Sequence, residues 1–167
     1  MAKKSIFISY DYDNDRAYKN LLLAWDKNSD FDFGFNDQSA DVSIDSTDAS
    51  VIKRAISAKI NSAPYFLCLV GKYTKNSSWV KWEINKAVEL NKKIIAVKID
   101  SQNETPLELY GIGAKWAMSF TFDSIKKAID EIMFEEKIVS QKENTITPKK
   151  KTVSKLPLDQ DTKEVIE

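Results

Sequence analysis

Glu83 stands in Ser77-Ser78-Trp79-Val80-Lys81-Trp82-Glu83-Ile84, a carboxylate with two tryptophans close by in a chain that has no histidine. An acid set beside large aromatic rings has a plausible chemical task, in a chain that offers no imidazole to share it. The octet follows the apolar run Tyr65-Phe66-Leu67-Cys68-Leu69-Val70, which reads as a buried strand. The octet then forms the loop and the first turns of the next helix. That places Glu83 near the carboxyl end of the strand, where open α/β sheets put their ligands. The bland alternative is a solvated helical glutamate or the acid of a capping box. The capping box does not fit: with Ser77 or Ser78 as N-cap, the third helical position is Val80 or Lys81. Trp79 and Glu83, at i and i+4, share a face, while Val80 and Ile84 point inward.

Other constellations carry less. Asp11 and Asp13, after the first strand, would suit a metal pair of the receiver-domain type. That chemistry needs a phosphate-accepting aspartate at the end of the third strand, which instead reads Leu69-Val70-Gly71. No Gly-x-Gly-x-x-Gly and no Gly-Lys-Ser/Thr fingerprint occurs. The single cysteine, Cys68, has no partner for an internal disulfide and no histidine to activate it, so it reads as a small buried hydrophobe.

The elements that must position Glu83 follow from periodicity. Residues 3–10 form a β-rich run ended by Asp11, Asp13, Asn14 and Asp15, which supply helix caps. A helix with Tyr18, Leu21, Leu22 and Trp25 on its apolar face follows. Phe31, Phe33 and Phe35 alternate as in a half-buried strand. Residues 36–48 are polar, and Ser46, Thr47 and Asp48 offer caps to a helix carrying Ile52, Ala55, Ile56 and Ile60. Pro64 ends that helix and opens the third strand. The third helix presents Val80, Ile84, Ala87 and Val88 inward. Ile94-Ile95-Ala96-Val97-Lys98-Ile99 reads as a strand buried on both faces. Residues 116–120 form a short fifth strand, and a last helix packs through Ile125, Ala128, Ile129, Ile132 and Met133. Strands alternating with helices imply a flavodoxin-like α/β three-layer sandwich with a five-stranded parallel sheet.

The chain of 167 residues, 43% hydrophobic and 30% charged, is long enough for one domain with a real core. The domain is expected over residues 1–137. Residues 138–167, charged and without aromatics or glycine, are expected to be a flexible tail. The formal net charge is zero, which argues against a general attraction to nucleic acid or anionic membrane. Its distribution is uneven: ten acids lie between Asp11 and Asp48, and ten lysines or arginines between Ala49 and Lys98. Differently charged solvated faces explain this simply, and head-to-tail contact between copies explains it more sharply. No secretion signal or membrane-length apolar run occurs, so a cytoplasmic location is expected.

Lys4-Ser5-Ile6-Phe7-Ile8-Ser9-Tyr10, the loop containing Asp37, and Ser78-Trp79-Val80-x-x-Glu83-Ile84 together resemble the TIR domain. The resemblance, over about residues 3–135, is to the TIR-like ThsB branch of Thoeris anti-phage defence. It implies an enzyme that takes NAD⁺ as substrate, cleaves the nicotinamide–ribose bond and makes a cyclic ADP-ribose-type messenger for a separate effector protein. It implies that Glu83 is catalytic and that TIR–TIR self-association supports activity. Around the substrate it sets Phe7, Ser9, Tyr10, Asp11, Asp37, Lys72 and Trp79, with no metal and no further cofactor. Trp79 or Tyr10 would stack on a ring, Lys72 and Lys75 would meet the pyrophosphate, and Phe7 also suits core packing. The acidic loop at residues 36–48 departs from the Pro-Gly pattern of many signalling TIR domains. The alternative from another class is a catalytically silent TIR-type interaction module.

Overall fold

The run Tyr65–Val70 forms β3, and all six of its side chains are buried. It lies between β1 (Lys4–Ser9) and β4 (Lys93–Lys98), parallel to both. The computed structural model describes residues 4–27, 33–35 and 48–146. At the outer edges lie β2 (Phe33–Gly34), beside β1, and β5 (Lys115–Ala117), beside β4, which gives the order β2-β1-β3-β4-β5. Four strands make the body of the sheet, and β2 adds only two residues at one edge. The alternation expected from Phe31 to Phe35 thus yields a much shorter strand, with Phe35 buried just beyond it and Phe31 outside the described residues. The fifth strand lies at Lys115–Ala117 rather than 116–120, because its partner β4 ends at Lys98 and offers no further ladder.

Helices α1 (Tyr12–Lys27), α2 (Ala49–Ser62), α3 (Ser78–Glu89) and α4 (Phe122–Ile146) cover the sheet. Successive strand residues face opposite ways. Ile6, Ile8, Leu67, Leu69, Ile95 and Val97 therefore meet Leu22 of α1 and Ile125 and Ile129 of α4 in one core layer. Phe7, Phe66, Cys68 and Ala96 meet Ile56 and Ile60 of α2 and Val80, Ile84 and Ala87 of α3 in the other. Each such aliphatic or aromatic side chain, once fully buried, stabilises the fold by roughly 1.5–3 kcal/mol.

Two helical faces differ from the spacing argument. On α1 the buried residues are Asp15, Lys19 and Leu22, whereas Tyr18 and Leu21 are largely exposed. On α3 the buried stripe is Val80, Glu83, Ile84 and Ala87, and Val88 is 39% exposed. The inward stripe of α3 is thus completed by a glutamate. On the last helix the expected apolar residues do face inward, but α4 continues past residue 137 to Ile146. No glycine or proline interrupts residues 122–147, so nothing in the backbone chemistry ends the helix at the expected domain boundary.

The amino edge of the sheet is tied to α4 by one polar cluster. Tyr65 donates a short hydrogen bond to Glu136 Oε2, and Lys4 Nζ reaches the same carboxylate at 2.8 Å and the Tyr65 hydroxyl at 3.0 Å. Hydrogen bonds from Lys4 and then Tyr65 hold the Glu136 carboxyl below its usual range. Replacing Tyr65 with Phe removes two bonds from this cluster, the one it donates to Glu136 and the one it accepts from Lys4, and leaves the Lys4–Glu136 ion pair. We expect a loss of about 1 kcal/mol in urea unfolding, with the native circular dichroism retained.

Candidate functional site at the carboxyl edge

Since β1 and β3 run parallel, their carboxyl ends lie side by side, and the register pairs Ser9 with Cys68. Ser9 shares the face of Phe7, toward α2 and α3. Helix α3 begins at a cap in which Ser77 Oγ accepts from Val80 N at 3.3 Å. Five residues into that helix Glu83 points back at the sheet, and Ser9 Oγ donates a short hydrogen bond to Glu83 Oε2. Each of the two residues is 1% exposed. The Cys68 thiol shares their layer. Burial pushes it well above its ordinary range, with the Glu83 charge and then Asp15 adding to the effect, so it is no nucleophile at neutral pH.

Beside this pair, at the same edge, a pocket of about 310 Å³ opens between the loop after β1 and the start of α3. Asp11, Asp13 and Asn14 line one wall; Tyr73, Ser77 and Trp79 stand on the other. Among the described residues, no lysine or arginine lines it. Asp11 also caps α1, accepting from Asp13 N at 3.2 Å and Asn14 Nδ2 at 2.9 Å. Trp79, at i−4 from Glu83, is the link between the pocket wall and the buried carboxylate. Its ring centroid lies 5.6 Å from that of Trp82.

The residues singled out from the sequence separate into groups. Ser9 meets Glu83 directly, and Asp11 and Trp79 line the neighbouring pocket. Phe7 is wholly buried and stacks on Phe66 at 5.6 Å, so its place is the core and not a substrate surface. Tyr10 belongs to the opposite layer, packed with α1 and 6.3 Å from the Tyr12 ring, and does not stand with Glu83. Lys72 is exposed, its ammonium 5.4 Å from the Tyr73 ring, and Lys75 is paired with Glu104. Asp37 lies outside the described residues.

Sequence reasoning missed a second buried acid. Asp15 of α1 is 5% exposed and accepts from Thr74 Oγ1 at 3.4 Å. Thr74 Oγ1 in turn accepts from Gly71 N at 2.8 Å, closing the turn that leads into α3. A Cβ on Gly71 would lie 2.1 Å from Asp15 Oδ2, so glycine is what lets the carboxylate sit there. The signal was available in the spacing Asp15, Lys19, Leu22, but charged residues do not announce themselves as an inner face.

Comparison with known proteins now has a geometry to bear on. A family model described as the Thoeris protein ThsB, TIR-like domain, matches residues 7–104, more than half of the chain. The chain belongs to this family. Among solved structures, a 2-desoxiribosyltransferase from Leishmania mexicana is similar, with 18% identity and a TM-score of 0.51, over 77% of this chain and 97% of that one. The TIR domains of the activated Roq1 resistosome, directly recognising the pathogen effector XopQ, give 13% identity and a TM-score of 0.44 over 86% and 78%. No curated protein sequence matches the chain. At such identities the likeness to the transferase is one of fold: a parallel sheet flanked by helices. The family match extends from β1 past Glu83, so the site lies wholly inside the TIR-like region. Among the described residues, no helix is long and apolar enough to cross a membrane.

Two predictions follow from the Asp15 knot. Burial first, and the Asp11 charge second, raise the Asp15 carboxyl to about 6, against the pull of the Thr74 hydroxyl. The folded chain therefore binds that proton more tightly than the unfolded one. The resulting stability is full below about pH 4 and is lost as pH rises through about 6, by up to about 3 kcal/mol. Asp15→Asn abolishes this loss: urea unfolding at pH 4.5 and 7.5 should show the variant gaining about 2 kcal/mol on the parent between the two. Gly71→Ala, by contrast, drives a methyl group into the carboxylate. It should cost about 2 kcal/mol or more in the same assay at pH 7.5.

Proposed function

We propose that this TIR-like ThsB-family protein cleaves the nicotinamide–ribose bond of NAD⁺ and converts the ADP-ribose part into a cyclic nucleotide signal for a separate effector. The observation that carries this reading is the burial of Glu83, with a serine as its donor, at the carboxyl edge of the sheet beside Trp79. A glutamate set there in place of an apolar residue has a task other than packing. Nicotinamide in NAD⁺ is already a cationic leaving group, so its departure needs no general acid, consistent with a chain that lacks histidine. The ribose left behind gathers oxocarbenium character, and a carboxylate within reach stabilises that charge and accepts from the ribose hydroxyls. A low-dielectric setting strengthens both effects. The transferase of like fold is named for moving a desoxyribosyl group, so this architecture supports glycosyl transfer elsewhere.

Because Glu83 is sealed, turnover requires substrate or a second copy to open the layer above it. Self-association through TIR–TIR contacts, between the acidic and basic parts of the chain, supplies such a trigger. Among the described residues, the pocket at Asp11 and Trp79 is lined by acids, amides, hydroxyls and rings, which suits a base or ribose better than a pyrophosphate.

A catalytically silent interaction module is the second reading, and the uneven charge of the chain, acidic up to Asp48 and basic from Ala49 to Lys98, favours it. Nicotinamide release from NAD⁺ by the purified full-length chain, with and without a crowding agent that promotes assembly, separates the two. Glu83→Gln keeps the shape and removes the charge. It should lower release by more than a hundredfold, about 3 kcal/mol, with an unchanged melting profile. Equal release by parent and variant would remove Glu83 from catalysis.

A further inference from the structure

Two polar residues occupy positions where packing alone calls for apolar ones. Ser9 follows Ile6, Phe7 and Ile8 on a strand whose inner residues are all buried, and Glu83 completes the Val80, Ile84, Ala87 stripe. Each would be costly in a buried layer without a hydrogen-bonding partner. They have each other: the Ser9 hydroxyl donates to Glu83 Oε2. We infer that Ser9 is a positioning residue, whose hydroxyl holds the Glu83 side chain against the sheet and favours the charged form of its carboxyl. This differs from a substrate contact, since Ser9 is 1% exposed and its donor already points at Glu83. It rests on the reading above only for its catalytic consequence.

Charged and titratable groups face this layer from several elements. From β3 the titratable neighbour is Cys68, which burial keeps as a neutral thiol. From α1 the charge acting on the same layer is Asp15, itself a carboxyl and so no help to a second anion. On α2, Lys53 lies 5.4 Å from the Trp82 ring, and on α3 itself Lys86 pairs with Glu89 at 2.7 Å. A hydroxyl donor to the charged form lowers a carboxyl's affinity for its proton, opposing the effect of burial.

The test reads Glu83 directly. In the full-length chain carrying ¹³C-labelled glutamate carboxyls, Glu83→Gln removes one resonance and so assigns it. Ser9→Ala should raise the midpoint of that resonance by about one pH unit, and Ser9→Thr, which keeps the hydroxyl and suits a strand, should restore it. The acid limb of nicotinamide release should move with it, whereas a residue that merely packs would lower the rate without shifting the limb. An unchanged or lowered midpoint in Ser9→Ala, or a Ser9→Thr variant that behaves like Ser9→Ala, overturns the positioning role. A parent chain that releases no nicotinamide counts against the proposed function alone, because the carboxyl titration is still read.

Discussion

A carboxylate held at 1% exposure must be given donors, because burying an unpaired charge costs several kcal/mol. Much of the site's arrangement can be understood from that requirement. One donor is Ser9, which is in reach because β1 and β3 run parallel with Ser9 level with Cys68. Glu83 comes down onto it because the Ser77 cap starts α3 where it does, setting the phase of the helix. A start one residue earlier or later would turn the side chain by about 100° and take the carboxylate out of the inner stripe.

The loop between β3 and α3 is braced from the other side by a second buried acid. Asp15, Thr74 and Gly71 lock the turn to α1, using the space a missing Cβ leaves. The two acids act on one thiol, that of Cys68, so the carboxyl edge concentrates negative charge within the fold. The pocket next to it adds Asp11 and Asp13. An edge of this kind favours cationic or hydroxylated groups and opposes phosphates, unless lysines arrive from outside the pocket. The basic residues between Ala49 and Lys98 of another copy have the right sign for that part.

Much of the architecture was legible. The continuous apolar runs at β3 and β4, the Pro64 break and the capping residue Asp48 place the central elements, because buried parallel strands and helix starts have local signatures. The edge strands β2 and β5 were less legible. Their lengths depend on how far a neighbour offers hydrogen bonds, which is not a property of their own residues. The helical faces of α1 and α3 were misjudged for a related reason: hydropathy marked Tyr18, Leu21 and Val88 as inner, while space beside Gly71 and a donor on β1 drew Asp15 and Glu83 inward. The end of the domain at residue 137 was read from composition, yet α4 runs on to Ile146 because helix-forming residues need no core to continue a helix already begun.

By itself, the order of residues determined the α/β class, the parallel sheet and the TIR-like family, and it singled out Glu83 as a candidate, since each rests on local pattern or on spacing along the chain. Only the tertiary structure decided that Ser9 is its partner, that Phe7 and Tyr10 belong to core layers on opposite faces, and that Asp15 is buried. Those facts turn on which side chains meet across strands some sixty residues apart in sequence, as Ser9 and Cys68 do. Register and helix phase settle such meetings, and neither is written in any one segment.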